Sequence, residues 1–86
     1  MSRCIKYQEM IERGEWERAL RELNDAYAAD NGYTGAFFNM GLAFEKGGLN
    51  EIAAAMYSYF LANWPDGYWA ERARERFDAL AANVQQ

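Results

Sequence analysis

Apolar positions along this chain recur at intervals of three and four residues, the spacing of one helix face. In FFNMGLAFEKGG, residues 37–48, the residues Phe37, Met40 and Phe44 form such a stripe. The same period predicts five helices: Arg3 to Glu12, Trp16 to Ala29, Gly35 to Lys46, Asn50 to Asn63 and Tyr68 to Asn83. Turn chemistry separates them. Gly14 divides the first two, and DNGYTG, residues 30–35, supplies Asn-Gly followed by Thr34 as an expected N-cap. Gly47-Gly48 stops the third helix, Pro65 ends the fourth, and Asp66 is the expected cap of the fifth. No segment alternates with period two, so no strand is expected. Five helices joined by short turns predict an all-α domain of antiparallel helix pairs.

The stripe on the third helix contains Gly41, which costs roughly 1 kcal/mol against alanine in a helix interior. Laying the chain on itself at an offset of 34 residues suggests why it is there. Gly14 falls on Gly48, Met10 on Phe44, Ala19 on Ala53, Leu23 on Tyr57, Ala26 on Phe60 and Asn31 on Pro65. The second copy carries Phe37, Met40, Gly41 and Phe44, then Ala53, Tyr57 and Pro65. It resembles the tetratricopeptide repeat (TPR), whose pattern W-x2-L-G-x2-Y, A-x3-F and P has that period. In the first copy Ala19, Leu23 and Ala26 keep the second-helix pattern. Arg3, Lys6 and Tyr7 depart from it, as expected of an end helix that is atypical or shifted in register.

The resemblance implies a short superhelix of stacked hairpins, with repeat 1 at about 1–33, repeat 2 at about 34–67 and a capping helix at about 68–83. It also implies that Gly41 faces Ala53, with Phe37, Phe44 and Tyr57 filling the space around them. On the last helix, Trp69 or Ala70, Ala73, Phe77, Leu80 and Val84 make one apolar stripe. Glu71, Arg74, Glu75 and Asp78 leave the other side polar, with Glu71–Arg74 and Arg74–Asp78 spaced to pair. A terminal cap needs that division, because it covers the last hairpin and itself faces water.

With 86 residues there is room for one core, and 51% apolar and 16% aromatic content is enough to build it. The net charge of −4 argues against nucleic acid as a partner. The longest apolar run, Ile52 to Met56, is too short for membrane insertion, and the charged N-terminal stretch does not read as a signal peptide. A soluble protein, or a soluble piece of a larger one, is expected, with the cytoplasm as the default compartment. Cys4 is the one cysteine and cannot form an internal disulfide.

Catalytic chemistry is sparse. The absence of histidine removes imidazole-based triads and the common zinc sites, and Cys4 has no histidine to activate it. No phosphate-binding glycine motif occurs, and the acidic residues lack calcium-loop spacing. Glu12 and Glu45 fall on the same side of successive helices, but an acid–base pair also needs a deep pocket. No enzyme activity, metal or cofactor is expected.

The TPR resemblance implies instead a concave groove, lined by the first helix of each pair, that holds a peptide or partner helix. Carried across, its lining is Phe38, Asn39, Leu42, Glu45 and Lys46, with Cys4, Gln8 and Ile11 or Glu12 from the first helix. The amide of Asn39 would either bond a bound peptide's backbone or tie the loop between repeats. Arg72 and Arg76 would either join that face or remain solvent charges. Cys4, Gln8 and Gly35 are not the residues of the family's clamp for acidic chaperone tails. With Phe38 and Leu42 exposed, the expected role is a scaffold or adaptor for protein segments with apolar anchors. The alternative is a self-assembling or structural segment: a homodimer covering that face, or an excerpt of a longer array.

Overall fold

The computed structural model describes residues 3–84, with side chains described through residue 82. Met1 and Ser2, which the sequence assigns to the first repeat, and the Val84 side chain lie outside the described residues. Five α-helices follow in order: α1 (Arg3–Glu12), α2 (Trp16–Ala29), α3 (Gly35–Lys46), α4 (Asn50–Asn63) and α5 (Tyr68–Val84). Helix α3 is central and packs on all four others, whereas α4 packs on α3 and α5.

The backbone itself repeats at 34 residues. Gly14 and Gly48 adopt φ of 86° and 80°, a left-handed conformation that glycine enters without a Cβ penalty. At the first turn the amides of Gly14 and Glu15 donate to the carbonyls of Ile11 and Met10, both at 2.9 Å. At the second, Gly48 and Leu49 donate to Glu45 and Phe44, at 3.0 and 2.9 Å. Both turns thereby satisfy carbonyls that a helix end leaves open. The ends of α2 and α4 match as well: Asp30 donates to Ala26 and Trp64 to Phe60, at 2.9 and 2.8 Å.

Two clusters form the core. Tyr7, Met10, Ile11, Ala19, Leu23 and Tyr33 join α1 and α2 to α3, while Phe38, Ala53, Tyr57, Phe60, Ala73 and Leu80 join α3, α4 and α5. Tyr7 is buried at the position equivalent to Gly41, so α1 keeps the register of the repeat and departs from it in side-chain size. The α5 stripe is buried at Ala70, Ala73 and Leu80.

Three local expectations are corrected. Thr34 makes no capping bond and already has helical dihedrals, because the Asp30 side chain organises the turn by accepting the Gly32 amide at 3.0 Å. Arg74 donates to the Pro65 carbonyl, and among the described residues the ion pair within α5 is Arg72 with Glu75. Gly41 makes room for the ring of Tyr57, whose atoms, and not those of Ala53, lie nearest the place a Cβ would occupy.

Burial, then the contact with Cys4, raises the Tyr33 hydroxyl above its ordinary pKa of 10.0. Burial, then the neighbouring Glu45 carboxylate, does the same to Tyr57. Above pH 10 the unfolded chain releases these protons while the folded chain keeps them. The stability they confer is therefore intact below that pH and lost above it, at a limiting slope of about 1.4 kcal/mol per pH unit for each tyrosine. Urea unfolding at stepped alkaline pH should show this decline, and Tyr57→Phe should make it shallower. An unchanged slope in that variant would assign the effect to other groups.

Candidate functional site

The candidate site is an open groove of about 480 Å³. Gln8, Ile11 and Glu12 of α1 form one wall, Arg72 and Arg76 of α5 the other, and Leu42, Glu45 and Lys46 of α3 the floor. Helices α1 and α5 do not pack on each other, so α3 is left accessible between them. Each group on α1 and α3 has the spacing i, i+3, i+4, which places three side chains on one helix face. The α1 and α3 groups are also equivalent under the 34-residue repeat, Gln8, Ile11 and Glu12 corresponding to Leu42, Glu45 and Lys46; on α5 Arg76 continues the first of these, whereas Arg72 corresponds to Phe38.

Of the expected contact residues, Gln8, Leu42, Glu45, Lys46, Arg72 and Arg76 converge, together with both Ile11 and Glu12. Phe38 and Asn39 do not. Phe38 is 2% exposed, enclosed by the rings of Tyr57, Phe60 and Trp69 with centroids at 5.8, 6.2 and 5.3 Å. Helices α4 and α5 close over the surface it was expected to present. Asn39 is fully buried between α1 and α3, where its amide donates to the Tyr33 hydroxyl at 3.1 Å and its oxygen accepts from Gln8 at 3.3 Å. The bond to Tyr33 joins it to the loop between the repeats. Cys4 is absent from the groove lining; its Sγ accepts the Tyr33 hydroxyl at 3.8 Å.

No protein family, curated protein or solved structure matches this chain. The site is therefore read from its own geometry.

Part of the groove's charge is internally neutralised. Glu45 accepts the Tyr57 hydroxyl at 2.9 Å and pairs with the Arg76 guanidinium, which links α3, α4 and α5. That carboxylate holds Arg76 above its ordinary pKa. Arg72 donates to the Tyr68 hydroxyl at 3.0 Å and lies 4.0 Å from Glu75, a loose, exposed contact. Among the described residues, Glu12 and Lys46 make no ion pair. The groove thus offers an apolar floor at Leu42, two cations available to a ligand at Lys46 and Arg72, and one carboxylate at Glu12.

Sequence reasoning did not anticipate the part played by Tyr57, which reads as a core aromatic. Its hydroxyl reaches Glu45 across a helix hairpin, a relation that no short-range spacing encodes.

Proposed function

We propose that this chain is a two-repeat, TPR-like interaction module that binds a peptide or partner helix without catalysis. The observation that carries the reading is the convergence on one groove of equivalent residues of α1 and α3, joined by Arg72 and Arg76 of α5. Its apolar residues, Leu42 and Ile11, are flanked by Glu12, Lys46, Arg72 and Arg76, a hydrophobic spot with a charged rim as interfaces have. The 34-residue repeat of both the sequence and the turn hydrogen bonds supports the family assignment. The favoured ligand seats an apolar side chain on Leu42 and directs a carboxylate toward Lys46 and Arg72.

Selection of peptides from a random library on the immobilised protein, followed by calorimetry, tests this. Leu42→Glu and Lys46→Glu should each weaken the selected peptides about tenfold or more, roughly 1.4 kcal/mol, with unchanged circular dichroism. Peptides that bind both variants as well as the wild type would place recognition elsewhere.

A further inference from the structure

Among the described residues, the exposed face of α4 is apolar where those of α2 and α5 are charged. Ile52 is 45% and Tyr59 47% exposed, and Ala55 and Ala62 are also exposed. These four residues are spaced three, four and three apart, the seam of a coiled coil. They alternate large and small. Helix α4 carries one charged residue, Glu51, whereas α2 and α5 carry several on their exposed faces. The ring of Tyr59 is braced against Phe37 and Trp64, with centroids at 4.7 and 6.4 Å, so it is ordered before any partner arrives.

We propose that a second copy of this chain covers this face, in an isologous antiparallel pairing of α4 with α4. An antiparallel two-fold pairing sets a-type positions of one helix opposite d-type positions of the other. With the axis passing midway between Ala55 and Tyr59 on the seam, Ile52 faces Ala62 of the second copy and Ala55 faces its Tyr59. Every bulky side chain then meets a methyl group, and the helices approach closely. The charges are compatible too: Glu51 falls opposite Asn63, no like charges face each other, and the helix dipoles run head to tail. A charged partner surface would be desolvated against this stripe without a counter-charge. A 14-residue helix is about 21 Å long, which puts the contact at the small end of specific interfaces. The dimer therefore dissociates on dilution.

Sedimentation equilibrium of the full chain from about 1 μM to about 1 mM should show a reversible monomer–dimer equilibrium. Ala55→Glu, at a site exposed in the monomer, should raise the dissociation constant about 100-fold or more while leaving helicity and the melting temperature of the dilute monomer unchanged. Ile52→Lys should act in the same direction, and Leu42→Glu in the groove should leave the dimer intact. A monomer at every concentration overturns the proposal. So does a dimer indifferent to both seam variants, or one dissolved by Leu42→Glu alone. The peptide-binding reading is measured separately and survives any of these results.

Discussion

Gly41→Ala lowers stability by roughly 1–2 kcal/mol and Gly41→Leu by about 3 kcal/mol or more, measured by urea unfolding. A Cβ at Gly41 would lie 2.4 Å from Cε1 of Tyr57, with Cδ1 and Cζ at 2.7 and 2.8 Å. Those are separations that no relaxed pair of carbons adopts. The ring cannot swing aside, because Tyr57 is fully buried and its hydroxyl is held by Glu45. Alanine recovers about 1 kcal/mol of helix propensity, and the collision outweighs it. Leu23 occupies the equivalent position in the first repeat, so Tyr57→Leu is the natural compensating change. Gly41→Ala with Tyr57→Leu should cost less than the two changes summed. Strict additivity would show that the ring is not what excludes a side chain at Gly41.

Asn39→Ala is the second large effect, an expected loss of about 1–3 kcal/mol. The substitution removes the acceptor of Gln8 and the donor to Tyr33 at a site with no access to water. The Tyr33 hydroxyl is left in a buried site with Cys4 as its remaining partner and bears the desolvation penalty, whereas Gln8 lines the open groove and can turn to water. Because Asn39 lies behind the groove floor, affinity for a groove peptide should fall only as far as the folded fraction falls. A variant with wild-type melting and specifically impaired peptide binding would return Asn39 to the recognition surface.

The two effects differ in how readable they are from residues alone. A glycine on a buried stripe, beside the 34-residue periodicity, signals close packing at Gly41. The identity of its neighbour does not follow, because Ala53 and Tyr57 are one turn apart on the same face of α4 and only the helix crossing selects between them. For Asn39 the residue type suits either an interior tie or a ligand contact. Burial alone separates these, and it depends on how closely α1 approaches α3.

The linear order of residues by itself determined the five helices, their turns, the all-α class and the 34-residue repeat. These follow from periodicity and from glycine and proline, which act over a few residues. It also placed Gln8, Leu42, Glu45 and Lys46 among the candidates, since equivalent positions on successive helices face the same way, and left Arg72 and Arg76 open between that face and solvent. Tertiary structure alone decided that Phe38 is covered by Trp69, that Glu45 is spent on Arg76 and Tyr57, and that α4 keeps an apolar seam toward solvent. Each of these depends on the distance and angle between helices far apart in the chain, which are set by how whole surfaces pack.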